Sequence, residues 1–236
     1  MSDAEITPEL LERLAQLDTP TVCNALEIVA PERRAIGFTT EPLICLYPAL
    51  KPIVGFARTA TLRSMQPYAV PEKARARQLD YYDYIADGGP RPSICLIQDL
   101  DGARAGFGSF WGEVNSHIHR GLGALGVVTD GSIRDVDANA AGFQMLCRMT
   151  APSHGHFHVV DYGNTVNVAG MYVDSGDLVH ADRHGAVVIP KAVAARIPAA
   201  AALLMRREAI VIAAAKAPGF DTTRLRAALA EAAAIE

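Results

Sequence analysis

Apolar and polar positions recur on two different periods along this chain, and each change of period marks an element. Near the start, Thr7, Pro8 and Glu9 supply a helix N-cap, a proline for the first turn and an early acid. Leu10, Leu11, Leu14 and Leu17 then follow at helical spacing. A second short helix is expected after Thr19-Pro20, and the four prolines within residues 31–52 predict an extended loop. Residues 53–63 are rich in β-branched positions that alternate, which predicts a strand. Residues 73–85 predict a helix with Arg and Asp on its polar face, 93–98 a buried strand, 113–121 a helix and 126–129 a strand. Beyond 143 the pattern becomes short strands punctuated by Gly, Asn and Asp, at 143–148, 156–161, 165–168, 171–173, 177–180 and 185–189. From 191 onward the chain is Ala-rich and helical, with a break at Pro218-Gly219. Strand–helix alternation followed by a run of strands predicts one layered α/β domain, with no internal repeat or linker.

Composition changes this picture little. A chain of 236 residues, half of them apolar and a fifth charged, is long enough for a proper core. The net charge of −4 offers no electrostatic footprint for nucleic acid or an anionic membrane. No apolar run approaches the ~20 residues that span a bilayer. The stretch 1–5 is acidic and polar, unlike a secretory signal, so a cytoplasmic location is expected. Cys23, Cys45, Cys95 and Cys147 lack CxxC spacing, and the last three lie in apolar surroundings, which predicts buried, reduced thiols.

Candidate chemistry concentrates in residues 126–137, Gly-Val-Val-Thr-Asp-Gly-Ser-Ile-Arg-Asp-Val-Asp. A strand ends at Asp130-Gly131, and the Arg134–Asp135 pair follows at once. Ligands of α/β proteins sit outside the carboxyl ends of strands, where Asp130, Arg134 and Asp135 fall. A carboxylate suits Mg²⁺ or Mn²⁺, and a guanidinium grips a substrate carboxylate through a bidentate fork. An Asp-Gly turn followed by a surface ion pair would give the same residues without chemistry. Upstream, residues 106–123 form a Gly-rich loop feeding a helix. Gly112 permits close approach, Glu113 adds a carboxylate, and the amides of Val114, Asn115 and Ser116 are expected to be free at the helix start.

This succession of Gly112-Glu113, helix, Val127-Val128 strand and Asp130-Gly131 with Arg134-Asp135 resembles the RraA-like family. That family includes the class II 4-hydroxy-4-methyl-2-oxoglutarate/4-carboxy-4-hydroxy-2-oxoadipate aldolases. Residues 17–26, 54–61, 176–182 and 185–190 resemble the family's opening helix, first core strand and closing strands, so the likeness runs in order through roughly residues 10–215. It implies a β/β/α swivelling sandwich with N- and C-terminal helices, spanning 1–236 with a helical extension over 191–236, that assembles as a homotrimer or homohexamer. It also implies that Asp135 ligates Mg²⁺ or Mn²⁺, that Glu113 holds the metal through water, and that Arg134 contacts the oxo and carboxylate oxygens of a 2-oxo acid. The amides of Val114 and Asn115 would receive the pyruvyl carboxylate.

Two departures qualify the match. The family's acidic residue three places after the pair's Asp is here Ala138. Asp137 lies one place earlier, about 100° away were the segment a helix. The family can also supply a carboxylate from a neighbouring subunit's C-terminal helix. Glu208 is the candidate, although a Glu beside two Arg is commonly a solvated helix residue. His154, His156 and His158 alternate, so a strand would align them on one face as a metal or substrate row, with His156 and His158 as substrate contacts. Same-face neighbours on a strand lie nearly 7 Å apart, too far for three to share one ion comfortably. His117 and His119 face opposite ways on a helix, while His180 and His184 flank an expected hairpin and read as packing or surface groups.

No lysine sits in an apolar strand pocket of the kind Schiff-base catalysis needs. The resemblance therefore implies a metal-dependent lyase that releases pyruvate, with oxaloacetate decarboxylation alongside. Two alternatives stand beside it: a protein-binding regulator of an RNA-degrading endonuclease, and a related metal-dependent enzyme acting on a sugar or hydroxy acid.

Overall fold

The computed structural model describes residues 6–235, and the acidic stretch 1–5 lies outside them. Strand β2 (Ile53–Arg63) is the spine of the molecule. It pairs in parallel with β3 (Ser93–Asp99) along one edge. On its other edge the first half meets β11 (Leu178–Asp182) and the second half meets β8 (His158–Tyr162), both antiparallel. The sheet continues in parallel from β3 to β4 (Ala124–Thr129) and β6 (Gln144–Cys147), ending at antiparallel β1 (Ile44–Cys45). On the opposite side β12 (Gly185–Ile189) extends β11. The result is a mixed, nearly closed sheet. Its parallel crossovers run through α3 (Pro71–Asp87) and α4 (Glu113–Gly121).

Alternation sorts the side chains between two faces. Ile94 and Leu96 join Val128, Leu146 and Val179 in an inner cluster, which the hairpin β9 (Val166–Val168) and β10 (Met171–Val173) covers. Their neighbours Cys95, Ile97, Val127 and Met145 point the other way, onto Tyr81 and Ile85 of α3 and the aromatic residues Phe110 and Trp111. A further cluster seats α1 (Pro8–Leu14), α2 (Thr19–Val29) and the start of α6 (Ile197–Lys216) against Val54, Phe56, Leu178 and Val187. Hairpin, sheet and helices are the layers of a β/β/α sandwich.

The expected elements are present with shifted ends. The loop 31–52 carries a single 3₁₀ turn at 31–33 and β1, which pairs with β6. The expected strand 143–148 is β6 followed by β7 (Met149–Thr150), which leaves the main sheet to pair with β5 (Ser132–Ile133). β8 begins only at His158, so His154 and His156 lie in the preceding turn and the three do not form a strand-face row. The short α5 (Lys191–Ala194) precedes α6, and α7 (Thr222–Ala233) follows the break at Pro218-Gly219. All four cysteines are free, and Cys45 is half-buried because it lies on the short edge strand β1. Among the described residues no helix is long and apolar enough to cross a membrane.

Candidate functional site

The parallel strands β3 and β4 end on the same side of the sheet, and the loops leaving them meet there. After β4 the chain makes the short strand β5, and Trp111 bridges Ile133 in parallel. The Arg134 amide then donates to the Trp111 carbonyl at 3.0 Å. These two contacts bring Arg134 and Asp135 onto the first residues of α4. The Glu113 amide donates to Asp135 Oδ2 at 3.3 Å, while Arg134 Nη1 lies 3.5 Å from Asp135 Oδ1. Both side chains remain about a third exposed. Asp135 is held at φ +55, a left-handed conformation that non-glycine residues rarely adopt and that clusters at functional sites.

Gly112 explains how the pair comes so close. A Cβ there would lie 2.6 Å from Asp135 Oδ2 and 3.1 Å from Arg134 Cγ, so only glycine leaves room. Its backbone is extended and unstrained. As the N-cap of α4 it also brings no side chain to satisfy the helix start. The Ser116 amide, expected to be free, instead makes the first intrahelical bond, to the Gly112 carbonyl at 2.9 Å, so only Val114 and Asn115 behind Glu113 have no acceptor within the helix. The site therefore combines an uncapped helix terminus, a carboxylate and a guanidinium.

α4 is fixed from below by buried polar bonds. The Asn115 side chain donates to the Phe110 carbonyl at 2.6 Å and accepts from the Tyr82 hydroxyl at 2.6 Å. His119 Nδ1 donates to the Asn115 carbonyl, leaving Nε2 to accept from the Tyr81 hydroxyl at 2.8 Å, which defines its tautomer. Burial pushes the His119 imidazole down to about 4, so it is neutral and structural at pH 7. Thus Asn115 offers its backbone amide to the site while its side chain belongs to the core.

The other residues singled out in the sequence fall elsewhere. Glu113 and Val114 are exposed at the helix start. Residues 134–139 form a turn closed by the Ala138 amide on the Asp135 carbonyl at 2.9 Å, so helical spacing between Asp137 and Ala138 does not apply. Asp137 is exposed and lines a neighbouring cavity. Asp130 supports the loops: its Oδ1 accepts from the Asp99 amide at 2.7 Å. Burial pushes its carboxyl up to about 6, against that hydrogen bond, which favours the charged form. His156 and His158 line a cleft with Tyr68, Pro67 and Pro71, and His158 meets the Tyr68 ring edge-on at 5.0 Å. No contact joins them to Arg134 or Asp135. His154 is exposed, with Nδ1 2.7 Å from the Gly155 carbonyl. His180 is buried between the Thr19 hydroxyl and the Leu17 carbonyl, and His184 contacts Asp182, both in structural roles. Glu208 is exposed on α6. Tyr47 and Asn139, which bond the backbone around Asp135, carry no sequence signal: Tyr47 lies 89 positions from the carbonyl it reaches.

Among the described residues no three His, Cys, Asp or Glu side chains gather into a metal-binding group. The donors at the site are oxygens, from Asp135 and Glu113. That set suits a hard ion such as Mg²⁺, which commonly keeps several waters and takes only one or two protein carboxylates besides substrate oxygens. It does not suit a closed zinc site, which wants four protein ligands.

This fold and this loop-on-helix site define a class, and comparison with known proteins agrees. The sequence pattern of the RraA-like family, described as Aldolase/RraA, matches residues 19–188. The chain belongs to the RraA-like family. An uncharacterized protein of Methanocaldococcus jannaschii is 35% identical over 83 residues, 34% of this chain and 40% of that protein. A putative 4-hydroxy-4-methyl-2-oxoglutarate aldolase of Halalkalibacterium halodurans is 29% identical over 163 residues, 65% of this chain and 75% of that one. Among solved structures, an uncharacterized protein of Pseudomonas syringae pv. tomato superposes with a TM-score of 0.70 at 22% identity, covering 96% of this chain and 97% of the other. Streptomyces coelicolor RraAS2, an unusual member of the RNase ES inhibitor RraA family, gives 0.68 at 23% identity, covering 87% and 96%. At these identities the structural likeness speaks for the fold alone.

Proposed function

We propose that this protein is a divalent-metal-dependent lyase that cleaves a 2-oxo acid to release pyruvate and also decarboxylates oxaloacetate. The observation that carries this reading is the seating of Arg134 and Asp135 on the uncapped start of α4, with the Glu113 amide bonded to Asp135 Oδ2. The family relationship, and the relative named as a putative aldolase, support it.

Retro-aldol cleavage moves the electrons of a C–C bond into the 2-oxo group, leaving a pyruvate enolate whose charge must be met. A Mg²⁺ or Mn²⁺ held by Asp135, with Glu113 reaching it through water, would supply Lewis-acid stabilisation of that charge. The amides of Val114 and Asn115, aided by the positive end of the helix, receive the substrate carboxylate. Arg134 presents a planar fork to the oxo and carboxylate oxygens, a fixed charge where negative charge develops. Glu113, exposed at the helix start, is the carboxylate available to hold the proton leaving the substrate hydroxyl. His156 and His158 lie in their own cleft and take no part in this scheme. The working form is a homotrimer or homohexamer, and Glu208 reaches a neighbouring subunit's site from α6.

Pyruvate release from a panel of 2-oxo acids, with and without EDTA, tests the reading. Turnover should require metal and should be lost in Asp135→Asn, which keeps the shape and removes the anionic ligand. Metal-independent turnover, or a folded Asp135→Asn variant with wild-type turnover, would overturn it.

A further inference from the structure

The segment carrying Asp135 is partly exposed, most fully at Asp137 and Ala138. A cavity of about 560 Å³ lies against it, lined among others by Tyr47, Pro48, Val136, Asn139 and Gly142. The left-handed Asp135 backbone is held by hydrogen bonds to its own and the neighbouring carbonyls. Three successive carbonyls are tied. The Asn139 side-chain amide donates to the Arg134 carbonyl at 3.1 Å, the Ala138 amide to the Asp135 carbonyl at 2.9 Å, and the Tyr47 hydroxyl to the Val136 carbonyl at 2.6 Å. A carbonyl only accepts, so both side chains are oriented as donors.

Tyr47 is itself braced. Its carbonyl accepts from the buried Gln144 side chain at 3.2 Å, and the adjacent Leu46 amide donates to the Met145 carbonyl on β6 at 3.0 Å. Burial raises the Tyr47 hydroxyl above its ordinary range, so like any tyrosine it keeps its proton at neutral pH. A rigid strut thus runs from the sheet, through Tyr47, to the residue after Asp135. Asn139, lining the same cavity as Tyr47, closes the turn.

We infer that Tyr47 and Asn139 are positioning residues, a clamp that holds Arg134 and Asp135 in register with the start of α4. This rests on the reading of Asp135 as the metal ligand. Partners that orient ligating groups typically change metal affinity or activity by about 10–100-fold when removed.

The test measures Mn²⁺ affinity from the free-ion electron paramagnetic resonance signal, hydrogen exchange over residues 134–140, and melting temperature. It compares wild type, Tyr47→Phe, Asn139→Ala and Asp135→Asn. Tyr47→Phe keeps the ring in place and removes only the donor. It should weaken Mn²⁺ binding about 10-fold or more, speed exchange over 134–140 and leave melting nearly unchanged. On oxaloacetate the loss should fall on kcat more than on KM. A purely structural bond would instead lower melting while a folded molecule bound Mn²⁺ normally. If Asp135→Asn loses Mn²⁺ but Tyr47→Phe and Asn139→Ala bind it as wild type does, the clamp is overturned and the site reading survives. If Asp135→Asn binds Mn²⁺ like wild type, the site reading falls and takes the clamp with it.

Discussion

Gly112 is the position where geometry and chemistry separate most cleanly. Its backbone is extended, a conformation open to any residue, so Gly112→Ala carries no dihedral penalty. What the added methyl meets is the Asp135 carboxylate at 2.6 Å, the far end of a side chain that can swing away. Folding should tolerate the change at a cost of about 1 kcal/mol, because Gly112 is the buried N-cap of α4 and alanine caps less well than glycine. The Arg134–Asp135 pair, however, must leave the helix start. Positioning errors of about 1 Å can cost roughly 10²-fold in rate. The expected outcome is a folded variant with a modestly lowered denaturant midpoint and turnover reduced on that order. Wild-type turnover would show that the close approach to Gly112 is incidental.

At the scale of elements, the ends of β3 and β4 carry Asp99 and Asp130, two carboxylates placed side by side by parallel pairing. Burial raises Asp130 to about 6, above its ordinary 3.8, and Asp99 is raised as well. An acid with a raised folded pKa binds its proton more tightly folded than unfolded. Its contribution to stability is therefore fully present below 3.8 and is lost as pH climbs to about 6. Asp130→Asn keeps the oxygen that accepts from the Asp99 amide and removes the charge. It should be more stable than wild type at pH 7, by on the order of 1–3 kcal/mol, with the gain vanishing near pH 4. Urea unfolding of both proteins at the two pH values measures this, and a constant difference would refute it. Local pattern made these elements legible: β3 and β4 show as apolar runs because both faces are buried, β2 shows through its alternating β-branched positions, and α4 through its Gly112-Glu113 start. What remained hidden depends on distance along the chain. The histidine alternation at 154–158 suggested a strand, but Gly155, in a left-handed conformation, belongs to a turn and pairing begins only at His158. Asp130 stood where chemistry is common, yet its partner Asp99 is 31 residues away and makes it a brace.

At the scale of the whole molecule, the last two helices are poorly used by a single chain. α6 has twenty residues but buries only Ile197, Ala200 and Ala201, all in its first turns. Further along it exposes Met205 at 57% and Ile212 at 50%, while α7 exposes Leu229 at 51% and buries only Ala228 and Ala232. Large apolar groups left in water on a helical hairpin this rich in alanine favour close helix packing against another surface. A second copy is the partner that the trimeric or hexameric reading supplies, and Glu208 lies on the same helix. Sedimentation at micromolar concentration should give three or six times the 25.2 kDa chain mass. Ile212→Glu should shift that distribution toward the monomer, because a buried unpaired carboxylate costs several kcal/mol across an interface and almost nothing on an exposed helix. If Glu208 completes a neighbouring site, turnover should fall with the oligomer, and monomer produced by Ile212→Glu should still fold and melt cooperatively. A wild-type protein that sediments only as a monomer while cleaving 2-oxo acids at full rate would remove both the assembly and Glu208 from the mechanism.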